Sequence, residues 1–350
     1  MNTSTQLAAG APASATSATA DPRPVRKGID PMALFERYGL LMLFALAVVV
    51  FSALQPDTFA SMANWRSIAI SQSVLAVAAL ALIVPLIGGR FDVSVGAVIG
   101  VCSIATAAAM SHFDLPLGLA VLGGVGLGAL IGLANGVLVA YCGVNSIIGT
   151  LGVSTIIGGT VQWYTGGIPI SAGLSPCLTD LSVQRPFGIP AMFLLMAAIS
   201  AATWYVLNQT PFGRYLQAVG SNLRAARLTG LPVNRIVMLS FAGSGLLSGV
   251  AGVLQVAALG NGNPQVGGIN FILPALAAVF LGATTWRPGR YNVPGTILSL
   301  FFLGTMVSGL VLLGARPYIT AIFNGAAVVI AIALAAQFRR RRTGVLEIGE

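Results

Sequence analysis

Long apolar runs, separated by short stretches rich in Gly, Pro, Asn and Arg, fill the chain from about residue 38 to residue 337. Ten runs reach helix length: 38–54, 67–87, 93–110, 115–140, 146–164, 187–207, 236–260, 266–285, 292–313 and 317–337. A helix needs about 20 mostly apolar residues to cross the hydrocarbon of a bilayer. Alternating ten-residue strands are absent, so the pattern favours helices over a barrel. It predicts an all-α, polytopic transmembrane helix bundle of about ten spans (8–10). Two runs look broken or re-entrant. The second ends in Pro85 and Gly88-Gly89 and leads into a short third run. The eighth follows Asn261, Gly262, Asn263, Pro264, Gly267 and Gly268 and contains Pro274. Interrupted segments in the two halves of such a chain point to a translocation path.

The flanks differ in kind. Residues 1–37 are rich in Ala, Ser, Thr and Pro and read as a disordered cytoplasmic tail. The transmembrane domain is expected over 38–338, and 339–350 forms a basic C-terminal tail. Arg23, Arg26 and Lys27 before an apolar run also suit a signal peptide. The run is long, however, and no small-x-small cleavage site follows Leu54, so an uncleaved first span is the better reading. Composition agrees with a membrane chain: 56% of residues are apolar and 8% charged, where a soluble domain carries about a quarter charged. The net charge of +9 would suit a nucleic-acid binder, but its placement argues otherwise. With the N-terminus inside, all Lys and Arg fall on inner stretches except Arg66, Arg185 and Arg316. That bias is an orientation signal, and it puts both termini in the cytoplasm.

What is missing narrows the chemistry. Lys27 is the single lysine, so a G-x-x-x-x-G-K-[ST] phosphate loop cannot be built and ATP hydrolysis is not expected of this chain. Of the nine acids, only Asp92 touches an apolar run, and at its end. Ion-coupled transporters commonly carry ionisable groups near the midplane, so ion coupling is disfavoured. His112, the only histidine, reads as a loop residue beside Asp114. Cys102, Cys142 and Cys177 have no metal-ligand spacing. No catalytic residue, metal site or cofactor is expected.

Two features carry structure beyond the spans. Gly124, Gly128, Gly132 and Gly136 recur every fourth residue and share one helical face, a device for close backbone approach in lipid. Intramolecular packing is the better reading and a dimer seam the alternative; Gly245 and Gly249 repeat the spacing. Between the sixth and seventh runs, Thr210–Arg235 is too polar to span. Its second half predicts a short helix. Ser221 or Asn222 supplies an N-cap, Leu223–Thr229 the body, Gly230 the C′ residue, and Pro232 blocks continuation. So short a helix is marginal alone. It packs on the inner ends of the spans or docks into a partner. In Ile87–Gly96, the glycines permit a chain reversal and Asp92 stands where a helix N-terminus wants a cap, ready to accept from Ser94 or Val95.

The chain resembles the membrane permeases of ATP-binding-cassette importers of the ribose/xylose/arabinose type. Three patches carry the resemblance. They are Gly88, Gly89, Phe91, Asp92, Val93, Ser94, Val95 and Gly96; Ala134–Val139 with Thr150–Gly152; and Gly213, Arg214, Ala218, Gly220, Asn222, Ala225, Ala226, Arg227, Leu228 and Gly230. The chain departs from the family pattern at Asn145-Ser146-Ile147, Asn270–Pro274 and Gly282-Ala283-Thr284, and the first block has one extra residue before the acid. The resemblance implies a separate cytoplasmic ATPase, an extracytoplasmic sugar-binding protein, and a second permease copy or sister permease, in a bacterial inner membrane. It implies that Ser221, Asn222, Arg224, Ala225, Ala226, Arg227, Leu228 and Gly230 form the coupling helix within 210–235. It also implies that the turn of Gly88, Gly89, Asp92, Ser94 and Gly96 flanks the substrate path.

Polar and aromatic residues in or beside the spans are candidates to line that path: Gln72, Asn135, Gln162, Trp163, Tyr164, Gln255, Asn261 and Asn270. Each also has a plain structural reading, because a helix amide often bonds a neighbouring helix. The expected function is the permease subunit of an importer for a monosaccharide or related polyol. Permeases of related importers for branched-chain amino acids or nucleosides are the alternative. An ion-coupled secondary transporter or a structural membrane protein fits less well.

Overall fold

A computed structural model describes residues 31–286 and 288–343, with side chains described for 38–268, 271–286 and 288–335. Among the described residues there are thirteen α-helices and no strand beyond one isolated bridge. They are α1 (Pro31–Leu54), α2 (Met62–Ile87), α3 (Val95–Ser111), α4 (Leu117–Ala140), α5 (Ser146–Thr165), α6 (Pro176–Thr179), α7 (Ala191–Gln209), α8 (Pro211–Ser221), α9 (Leu223–Leu228), α10 (Val233–Leu259), α11 (Gly268–Gly282), α12 (Val293–Leu312) and α13 (Pro317–Thr343).

Each of the ten apolar runs is a helix, but among the described residues length and composition do not confirm all ten as spans. Six helices are long and apolar enough to cross a membrane: α2, α4, α7, α10, α12 and α13. α3 is shorter, as are the parts of α1 and α11 whose side chains are described (38–54 and 271–282), and α5, rich in Ser, Thr and Gly, does not qualify. The boundaries also move. α1 begins at Pro31, inside the stretch expected to be tail, and α13 carries the basic run to Thr343 as helix. The tail before Pro31 lies outside the described residues.

α2 and α10 form the centre, with 72% and 67% of their most apolar windows buried, against 11% for α13. α2 manages this with small and branched residues on all sides, Ala76 to Ile83 being fully buried. α10 packs most extensively on α4, then on α2 and α3. The α4–α10 contact is a glycine seam. A Cβ on Gly128 would meet Gly249 Cα at 2.9 Å, one on Gly132 would meet Gly245 Cα at 2.8 Å, and one on Gly136 would meet Met238 O at 2.7 Å. Gly124 belongs to the same face but opens onto α3, at Thr106 and Cys102. The stripe therefore packs within the chain.

The break before α11 is real. After Gly260, in the left-handed conformation, the chain leaves the helix and descends along α3. Gly262 lies on Ala107, Val266 on Gly100, and Gly267 and Gly268 on Gly96. Non-helical backbone within a membrane domain survives only where protein or a cavity surrounds it. Gly96, Gly100 and Gly262 allow the close approach.

Candidate functional site

The α2–α3 turn gathers buried polar side chains, Asp92 and Ser94 of its own and Asn135, Thr150 and Ser244 from neighbouring helices. Gly89 takes φ +72, which reverses the chain with little cost for glycine. α5 side chains satisfy two of the turn's N–H groups: Phe91 N donates to Ser146 Oγ (3.3 Å) and Val93 N to Thr150 Oγ1 (2.9 Å). Asp92 is 2% exposed, enclosed by the protein although its position in the sequence lies at the end of an apolar run. Its Oδ1 accepts from Ser94 N (3.0 Å) and Ser94 Oγ (2.6 Å), and its Oδ2 from Ser244 Oγ of α10 (3.1 Å). Ser94 Oγ accepts in turn from Asn135 Nδ2 of α4 (2.8 Å). A chain of hydrogen bonds thus ties α4 to α10 through the turn, beside their glycine seam. Ser94, not Asp92, occupies the N-cap position of α3, and its side chain makes no cap bond. Asp92 bonds the N–H two residues on, so it braces the turn ahead of the helix.

Ser146 and Thr150 entered the sequence reading only through the family pattern, with no role given to either, and Ser244 was not singled out. Ser240, Ser244 and Ser248 recur at helical spacing, but Ser240 and Ser248 bond carbonyls of their own helix, as isolated hydroxyls in spans do. Only the fold distinguishes Ser244.

Directly against the turn lies α8, a helix the sequence reading left out. Pro211 opens it, and Gly213, Leu216 and Val219 form its buried stripe. A Cβ on Gly88 would stand 2.8 Å from Leu216 Cδ1, and Gly220 abuts the carbonyl of Ile87. α9 follows after Asn222, whose Oδ1 accepts from Ala225 N (3.0 Å). The helix ends in a Schellman arrangement. Gly230 at φ +77 donates to Arg227 O (3.0 Å), and Leu231 N donates to Ala226 O (3.2 Å). Within α9 only Ala226 is buried. Ser221, Asn222, Arg224, Ala225, Arg227 and Gly230 are exposed, and Leu228 is 89% exposed.

At the opposite face, Ile170 and Gly262 exchange both backbone hydrogen bonds (2.9 and 2.8 Å), joining the segment after α5 to the start of the unwound stretch. His112 Nδ1 and Tyr164 Oη lie 2.7 Å apart. Gln162, Trp163 and Tyr164 stand exposed there on the last turn of α5. The other path candidates are scattered. Asn135 is buried in the turn's network, and its Oδ1 has no partner. Gln255 is buried in α10, and Gln72 is wedged beside Gly304 of α12. Asn261 donates to Leu259 O (3.2 Å), while its Oδ1 is buried without a partner. The side chain of Asn270 lies outside the described residues. Among the described residues, no three His, Cys, Asp or Glu side chains gather where a metal ion could sit.

Comparison with known proteins covers most of the chain. Residues 64–332 match the model of the family described as branched-chain amino acid transport system / permease component. The chain is similar to the ribose import permease protein RbsC of Escherichia coli K12, 33% identical over 303 residues, covering 85% of this chain and 93% of that protein. RbsC of Haemophilus influenzae Rd is likewise 33% identical, over 302 residues, 85% of this chain and 92% of its own length. The autoinducer 2 import system permease protein LsrD of Yersinia enterocolitica is 29% identical over 309 residues, 86% of this chain and 93% of that protein. No solved structure matches.

Proposed function

The chain belongs to the family of branched-chain amino acid transport system / permease components, and from that premise we propose that it forms the translocation path of an ATP-driven, binding-protein-dependent importer for a monosaccharide or related polyol. The sugar class is supported by the relatives named for ribose import, which align over nearly their whole length. The energy source is supported by one observation above the rest. α9 is a capped two-turn helix that buries a single alanine and leaves Leu228 89% exposed. A helix so poorly held by its own chain suits a groove on another protein. In this reading that protein is the cytoplasmic ATPase, the face carrying α8, α9 and the turn is cytoplasmic, and both termini share that side.

The mechanism follows from what α9 rests on. ATPase closure displaces α9 and α8. Leu216 and Gly220 pass the displacement to Gly88 and Ile87, and the Asp92–Ser94–Asn135–Ser244 knot passes it to α4 and α10. Close-packed contacts without voids transmit strain in this way. Gln162, Trp163 and Tyr164 at the far face, with Asn261 in the unwound stretch, are the residues best placed to meet a polyhydroxylated substrate handed over by an extracytoplasmic binding protein. Asn135 then has a structural role. α1, α3, α5 and α11 complete the membrane domain as short or broken segments against the six long helices, and a second permease copy or a sister chain covers the Gly- and Thr-rich exposed side of α5.

The amino-acid alternative has the family's own description in its favour. Reconstitution separates these readings. With its ATPase and binding protein in vesicles, the chain should take up labelled monosaccharide only when all three proteins and ATP are present. Uptake of branched-chain amino acids instead would move the substrate class. Uptake driven by a proton gradient without the ATPase would overturn the proposal.

A further inference from the structure

Beside α9 the chain forms a second feature that the docking helix alone does not require. A cleft of about 340 Å³ opens between the α2–α3 turn, the ends of α4 and α5, α9 and the start of α10. Arg90 comes from the turn, Arg227 from α9, Asn145 from the N-terminus of α5 and Asn234 from α10, with Val139 and Val237 also lining it. The four polar side chains bring donors to it. Asn145 Oδ1 is already engaged by Ile147 N (3.0 Å) and Ile148 N (3.4 Å), which leaves its amide nitrogen to face a ligand.

Among the described residues, no acid balances this charge. Among the described residues, neither the Arg90 nor the Arg227 guanidinium is held by a hydrogen bond or an ion pair. Asp92, two residues from Arg90, spends both oxygens on Ser94 and Ser244 inside the protein. Asp57, Asp114 and Asp180 lie in segments of the opposite face. Two guanidiniums in a partly enclosed, donor-rich cleft match a carboxylate, and each can grip it with two parallel bonds.

We propose that this cleft is the receptor for an acidic side chain of the ATPase subunit, which enters between Arg90 and Arg227 as α9 docks. The proposal rests on the reading of α9 as the docking helix, because Arg227 belongs to both features and a protein seated on α9 covers the cleft. It adds a charge-selective contact on a different element, the turn itself. ATPase engagement then reaches the Asp92 knot directly through Arg90, two residues away, as well as through α8.

The test uses the full-length chain in nanodiscs and its purified ATPase, with affinity measured across a salt series. In phosphatidylcholine discs, R90Q should weaken ATPase binding roughly tenfold, the scale of a lost charge-assisted bond, and flatten the salt dependence. R90K should recover affinity at low salt, which separates lost charge from lost fold. One Glu→Gln or Asp→Asn change on the ATPase should reproduce the loss and add nothing to R90Q. Unchanged affinity and salt slope in R90Q overturns the proposal. A loss seen only in phosphatidylglycerol discs overturns it in favour of a lipid phosphate, and the same loss in E347Q/E350Q overturns it in favour of the chain's own C-terminus. L228E is the separate check on docking. If it abolishes binding while R90Q does nothing, the cleft reading fails and the docking helix stands; if neither has an effect, both fail.

Discussion

Replacing Asp92 tests whether the buried knot holds the domain together. Asp92→Ala removes the acceptor for three buried donors: Ser94 N, Ser94 Oγ and Ser244 Oγ. A buried donor left without a partner costs about 1–3 kcal/mol. The Ser244 hydroxyl can turn to a helix carbonyl, as Ser240 and Ser248 do, and the Ser94 hydroxyl keeps its bond from Asn135, so both fall at the low end. The Ser94 amide cannot turn. The expected loss is about 3–4 kcal/mol. Asp92→Asn keeps the shape and the Oδ1 acceptor, and its amide can donate to Ser244, so its loss should be about 1 kcal/mol. Ser244→Ala should also cost about 1 kcal/mol. The double variant D92A/S244A should cost less than the sum of the two single changes, because the alanine removes a hydroxyl that D92A had orphaned. Reversible unfolding of purified protein in mixed micelles, titrated with SDS, reads all four values. A D92A protein within about 0.5 kcal/mol of the parent, the range of inert surface changes, would refute the reasoning, as would a double variant that is strictly additive.

Three further changes separate packing from coupling. Gly132→Val puts side-chain atoms against the backbone of Gly245 and Phe241, which has no room to give; it should cost about 1–3 kcal/mol in the same titration. Gly126→Val, with nothing within 4 Å of the added carbon, should be near neutral, and equal effects at the two sites would discredit the seam. Gly230 also has open space around it but sits at φ +77, so Gly230→Val strains only the end of α9, by about 1–2 kcal/mol. ATPase retention and uptake should fall while membrane insertion and global unfolding stay unchanged. Intact uptake would count against α9 as the coupling element.

How much of this was legible in advance differs from element to element. The α9 helix was read to within a residue, because Asn222, Gly230 and Pro232 act on backbone groups a few bonds away. α8 was missed although Gly213, Leu216 and Val219 fall on one face, since two glycines and an N-terminal proline in eleven residues read as loop. The turn glycines were legible as a reversal. The path candidates were not legible as a group: Asn135 and Gln162 look alike in sequence, yet one is locked under Ser94 and the other stands at the opposite face.

The sequence by itself determined that the chain is helical and membrane-bound, roughly where its long helices lie, and which family it joins. Those properties follow from transfer of single side chains into hydrocarbon and from local capping, both of which act within one segment. The tertiary structure alone decided that α2 and α10 are central, that Gly132 meets Gly245, and that Asp92 is buried and bound by Ser244, 152 positions away. Hydrocarbon is as apolar as a protein core, so a helix that is apolar on every side carries no mark of which side faces lipid and which faces its neighbours. Which faces meet is settled by the shapes that close without a void.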